Sequence, residues 1–279
     1  MRISKLMKIA LAGLLVSSLA AISWAQSPKL KMTTDIPASI TTPDKVSTSI
    51  GTLKYFDGVP TDETVQTLYD NLDRMRGVEA FLAGLPAAST FALYDGPKAI
   101  GADRANKIQI WNQLMDSKTL LLTGNTSTLY SFTTLDLKTD GATVVELPPG
   151  MLGAIDDAWF RYVGDFGPAG QDKAKGGKYV VLPPDYKGTV PEGYFVLKSP
   201  TYRNWIFLRA SIADGVDTVF KKVEASLRVY PLAKAGNPPK TEFVKATGKV
   251  INTIPANDFS FFNQLNEVVQ YEPIESLDP

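Results

Sequence analysis

The chain has 279 residues, and none of them is cysteine or histidine. Without cysteine there is no disulfide, no thiolate metal ligand and no thiol nucleophile. Without histidine, a Ser-His-Asp triad, an imidazole metal site and a histidine acid–base relay are excluded. Any hydrolysis would have to run on carboxylates, lysine, tyrosine or a carboxylate-bound cation. An excess of one charge is also lacking, since 29 basic residues stand against 29 acidic ones. With no basic stripe, nothing points to nucleic acid or an anionic lipid surface as a partner. No apolar run anywhere reaches the roughly 20 residues that a membrane span needs.

The N-terminus does carry a pattern. Arg2, Lys5 and Lys8 precede an apolar run over 9–22, and Ser23-Trp24-Ala25 places small residues at the −3 and −1 positions before Gln26. This is the form of a secretory signal peptide. It predicts a periplasmic or secreted protein cleaved after Ala25, with no transmembrane helix left. Cleavage removes three basic residues and leaves 26 basic against 29 acidic, a net charge of −3. About 254 residues then remain, enough for a core that needs no disulfide staples.

Beyond the leader, 26–60 reads as an extended lead-in with a hairpin through Asp57-Gly58. Residues 61–117 read as helical. Thr61 is the cap, Asp62 and Glu63 lie in the first turn, and Val65, Leu68, Leu72 and Met75 form an apolar stripe. Gly84 and Pro86 predict a break, and 105–117 a further helix. From Lys118 the period changes to two, and seven strand candidates follow before 213. Turn signals separate them and no helix intervenes, which predicts an antiparallel β-sandwich over 118–213. "LPP" at 147–149 and again at 182–184 reads as strand punctuation at one end of that sandwich, because proline gives a sheet no N–H. Residues 214–279 read as helical again, with Val216, Val219, Val223 and Leu227 on one face. Asp258 then caps a helix of unusually wide apolar face.

Few residues point to chemistry. "GPAGQDKAKGGKY" (167–179) has Asp172 where a phosphate loop needs its first glycine and Tyr179 where it needs Ser or Thr. It therefore reads as a flexible surface loop. In "IDDAWFRY" the carboxylates Asp156 and Asp157 adjoin Trp159, a turn or strand start that also offers an ion or acid–base site. Asn125, Thr126, Thr128 and Tyr130 in "TGNTSTLYS" are turn residues that can also orient a polar ligand. Arg203 in "SPTYRNWIF" has stacking partners beside it. Phe259, Phe262, Leu265 and Val269 form the candidate contact surface. No residue pattern calls for a metal or a cofactor.

Taken together, 69–86, 122–137, 148–207 and 252–270 resemble the bacterial family called domain of unknown function 1254. The resemblance implies an immunoglobulin-like sandwich of about seven strands flanked by helical segments, an α+β fold. It brings no established activity. Longer members continue into a companion, domain of unknown function 1214, so the resemblance implies that this chain stops at that junction. The reading is a non-catalytic module that binds a small molecule, a partner domain or a second copy of the chain. The alternative is a carboxylate-based hydrolase or lyase using Asp156 and Asp157. The leader gives the first prediction: protein recovered from the periplasm or medium begins at Gln26 by N-terminal sequencing, and a retained Met1 would contradict it.

Overall fold

The computed structural model describes residues 35–277. The expected leader, its cleavage site and residues 26–34 lie outside these. The described residues divide into two compact units, 35–73 and 74–277. Helix α1 (Asp62–Asp95) runs through the division, and α2 (Leu137–Asp140), α3 (Val216–Ser226) and α4 (Ser260–Tyr271) follow it.

In the first unit, β1 (Lys45–Thr48), β2 (Gly51–Phe56) and β3 (Val59–Pro60) form an antiparallel sheet in that order. The expected hairpin turns at Asp57-Gly58, with φ of 47° and 83°, the two positive values that a two-residue type I′ turn requires. Thr61 caps α1 as expected, its hydroxyl accepting the Thr64 N–H at 3.4 Å. The Thr64 hydroxyl in turn accepts the Lys54 N–H at 2.7 Å and donates to the Lys54 carbonyl at 3.0 Å. The first helical turn is thereby fastened to β2.

The predicted break in α1 does not occur; the helix runs unbroken through Gly84 and Pro86 for 34 residues. Leu82 and Pro86 are both exposed, so the carbonyl that loses its helical donor to the proline stays open to water. Gly84 is buried, and a Cβ there would run into a methyl of Leu265. The glycine thus lets α4 (Ser260–Tyr271) lie close against α1, with the Phe81 and Phe261 rings 4.8 Å apart.

Two other helical expectations are corrected: 105–117 is strand and turn with no helix, and the end of 215–230 is strand. Within 105–117, β4 (Lys107–Ile110) sends Ile108 and Ile110 into the main core. After α3 (Val216–Ser226) comes β13 (Arg228–Pro231). The stripe Val216, Val219, Val223 and Leu227 still faces the core.

Two sheets share that core. One has four strands in the order β11 (Tyr194–Lys198), β10 (Gly177–Leu182), β7 (Thr143–Leu147), β13. The other has six, in the order β14 (Glu242–Lys245), β4, β6 (Thr128–Asp136), β12 (Arg203–Ser211), β8 (Met151–Asp157), β9 (Tyr162–Phe166). The short β5 (Thr119–Leu120) pairs with β15 (Ile251–Asn252). Ile110, Leu129, Ile155, Ile206 and Leu208 from the six-stranded sheet meet Val145, Tyr179, Val181 and Val229 from the four-stranded one, all buried. The result is an α+β protein with mixed sheets. The expectation of antiparallel strands alone is corrected, because β10 with β11 and β4 with β14 run parallel. The connection 183–193 is long enough to bring the chain back to the other end of the sheet.

Leu147 and Leu182 do end their strands, followed by the paired prolines. Because β7 and β10 are antiparallel, with Gly177 opposite Leu147 and Val181 opposite Thr143, the two stops lie at opposite ends of the sheet. Nor is 167–179 a loosely held loop. Asp172 is buried in it, accepting the N–H groups of Gly167 at 2.7 Å and Gly176 at 3.1 Å and the hydroxyl of Tyr179 at 2.5 Å. Asp172→Ala leaves those three donors unpaired and is expected to lower the unfolding free energy by about 3 kcal/mol, against about 1 kcal/mol for Tyr179→Phe. Urea unfolding measures both, and equal small losses would contradict this account of the loop.

Candidate functional site

Side chains alternate across a strand, and β6, β12 and β8 lie side by side. On the face turned away from the main core, the register sets Arg209 beside Tyr130 and Leu152, Phe207 beside Phe132 and Ala154, and Trp205 beside Thr134 and Asp156. The rings form a continuous floor. Trp205 stacks on Phe207 with centroids 4.9 Å apart, and Phe132 meets Trp205 edge-on at 5.3 Å and Tyr130 at 5.4 Å. Trp111 adds a further edge contact to Phe132.

Over this floor is a cavity of about 470 Å³. Its walls are Ser89 and Leu93 of α1, residues 121–123 after β5, Phe160 after β8, and Thr253 and Pro255 after β15. Asp156 and Arg209 are the charged side chains among the described lining residues. Nε of Arg209 is buried without a hydrogen-bond partner, and the guanidinium carbon lies 5.9 Å from the Phe207 ring centre. Burial first, then the negative charges of Asp157 and Asp165, push the Asp156 carboxyl up to about 6.

Two polar turns hold the walls. Asp157 is fully buried and accepts the N–H groups of Trp159 and Arg161, both at 2.9 Å, and Nε of Arg161 at 2.7 Å. These bonds keep Phe160 at the cavity with a φ of 61°, a left-handed conformation that costs a bulky residue of order 1–3 kcal/mol. Asn125 builds the other turn. Its Oδ1 accepts the N–H groups of Ser127 and Thr128 and the Thr128 hydroxyl, while its amide donates to the Tyr130 hydroxyl at 2.8 Å.

Of the residues picked from sequence, Tyr130 and Asp156 line the cavity. Asn125, Thr128 and Asp157 shape it from behind, and Thr126 is exposed on the turn. Trp159 packs with Ala87 and Val268 and donates its indole N–H to Ser276 at 3.1 Å. Arg203 serves as a latch for α4, bonded to Glu267 at 3.0 Å and lying 4.1 Å over the Tyr271 ring. Phe259, just before α4, is exposed, whereas Phe262, Leu265 and Val269 on α4 are half-buried. Sequence reasoning passed over Phe132, Phe160, Trp205, Phe207 and Arg209. A signal was present in Trp205-Ile206-Phe207-Leu208, a strand apolar on both faces, which means that neither face is bare.

Among the described residues, no group of three or more acidic side chains is placed to hold a metal ion. No helix among them is long and apolar enough to cross a membrane.

Residues 105–231 match the model of the family described as "Protein of unknown function (DUF1254)". Comparison with curated proteins gave no match. Among solved structures, this chain is similar to the VPA0106 protein from Vibrio parahaemolyticus, with 18% identity and a TM-score of 0.42. The likeness covers 69% of this chain and 48% of that one, so the chain spans about half of that protein's length. The floor of the cavity, from Tyr130 to Arg209, lies within the matched segment. The resemblance to the DUF1254 family is thus carried by residues 105–231, a little under half of the chain.

Proposed function

We propose that the protein is an exported, non-catalytic binding protein, built on an immunoglobulin-like sandwich, that holds a small and mostly apolar molecule in the cavity over β6, β12 and β8. The observation that carries this reading is the lining itself. Tyr130, Phe132, Phe160, Trp205 and Phe207 enclose about 470 Å³ with two charged groups among them, a size and composition suited to a small ligand. Polar side chains are spent on shaping the walls, and Phe160 is held in a strained conformation beside the space, as at sites that pre-organise a ligand.

One observation favours the carboxylate enzyme as a second reading. Asp156 titrates near neutrality within a cavity, as a general acid or base must. Its sequence neighbour Asp157 is committed to Arg161 and two backbone N–H groups, so it does not supply the second catalytic carboxylate. The binding reading needs no such partner.

The neutral apolar fluorophore N-phenyl-1-naphthylamine tests the cavity. Its emission is expected to rise and saturate at one molecule per chain, and Ser89→Phe, which fills the space, is expected to weaken it at least tenfold while the chain still unfolds cooperatively. Absence of saturable emission, or emission indifferent to Ser89→Phe, would contradict the reading.

The Asp156 carboxyl gives a pH prediction. Its folded value of about 6 lies above the ordinary 3.8, so the folded chain holds this proton more tightly than the unfolded chain does. Ionisation therefore costs stability; the penalty is absent below about pH 4, grows between pH 4 and 6, and is complete above pH 6. Asp156→Asn is expected to melt higher than the wild type at pH 8, with the gap closing toward pH 4. Glu272, pushed up to about 7 by burial, titrates in both proteins and cancels in the difference. A gap independent of pH between 4 and 8 would contradict the placement of Asp156.

A further inference from the structure

Building on the cavity reading, we infer that the occupant is a flat apolar molecule with a single anionic group, a carboxylate or sulfonate, and that Arg209 binds that group.

Arg209 is the cation that the fold leaves unanswered at the cavity. Arg161 and Arg203 also bury one nitrogen without a partner, yet through another nitrogen each meets a carboxylate, Asp157 at 2.7 Å and Glu267 at 3.0 Å. Arg228 donates to the carbonyls of Glu224, Ala225 and Leu227. Arg209 has Tyr130 and Leu152 as cross-strand neighbours, and neither carries a charge. The Phe207 ring, at 5.9 Å, stands at the limit of cation–π attraction. A buried guanidinium nitrogen with no acceptor is costly, and a ligand anion in the cavity relieves that cost with a charge-assisted hydrogen bond.

Asp156 sets the number of charges and the orientation. It lies opposite Trp205, four residues along β12 from Arg209, or about 13 Å of strand. Its carboxylate repels a second anion, so a monoanion enters one way round, with its charge at Arg209 and an uncharged or donor end at Asp156. Phe207 lies between the two and Trp205 beside Asp156, the rings stacked with 28° between their planes. Such a floor favours a flat, ring-bearing body over a branched aliphatic one.

A pair of probes separates the anion from the body. 8-Anilinonaphthalene-1-sulfonate has the ring skeleton of N-phenyl-1-naphthylamine plus one sulfonate. The wild-type chain is expected to bind the sulfonate about tenfold or more tighter than the neutral probe. Arg209→Met is expected to bring that preference to about twofold or less, and Arg209→Lys to restore most of it. Ser89→Phe is expected to weaken both probes together. Equal affinities in the wild type, a preference that survives Arg209→Met, or sulfonate binding that survives Ser89→Phe would each overturn the inference. If the neutral probe binds in the cavity and the sulfonate binds no better, this inference falls and the cavity reading stands. If neither probe binds, both fall.

Discussion

A β-sheet needs only one covered face to be stable, and on a half-covered sheet the second face is polar. Strand β12 departs from that economy. Ile206, Leu208 and Ala210 fill the core shared by the two sheets, and the alternate positions carry Trp205, Phe207 and Arg209. Once the pleat fixes one set inward, the other set must point away from it. Two aromatic side chains on that side demand cover, and each buried ring removes 150–250 Å² from water. The cover comes from the C-terminal half of α1 and from the segments after β5, β8 and β15. It closes over the floor incompletely, and the space left is the cavity.

The polar residues around that space do mechanical work. Asp157 gathers three donors and so holds the tight turn that presents Phe160. Asn125 ties its own turn together and fixes the Tyr130 hydroxyl. Glu272 accepts the N–H groups of Tyr202 at 2.6 Å and Arg203 at 3.1 Å, joining the end of α4 to the start of β12. Buried carboxylates and amides with full sets of donors make rigid joints. The side chains left with open valence at the cavity, Arg209 and Asp156, stand out against that background.

How much of this was legible in the sequence depended on how local each feature is. The Asp57-Gly58 hairpin, the Thr61 cap and the Val216–Leu227 stripe depend on neighbours within a few residues, and all could be read directly. So could most strands between 128 and 211. The unbroken passage of α1 through Pro86 was not legible, since it depends on which side of the helix is exposed. Strand β8 was missed because Gly153, Asp156 and Asp157 disfavour a strand locally, while pairing with β12 and β9 on both sides overrides them. Tyr130 and Asp156 were picked out as polar residues near turns. Their cavity partners Phe132, Trp205 and Phe207 look like ordinary strand residues in the sequence, because only the register across three strands shows that they share one face.

The central claim is that the second face of the six-stranded sheet is a binding surface. Amide chemical-shift mapping by solution NMR, during titration with N-phenyl-1-naphthylamine, tests it most directly. The account predicts shifts concentrated at residues 121–123, at Tyr130 and Phe132, at Asp156 and Phe160, along 205–209, and at 253–255. Shifts confined to the exposed end of α4, around Phe259 and Phe262, with the β12 amides unmoved, would contradict it.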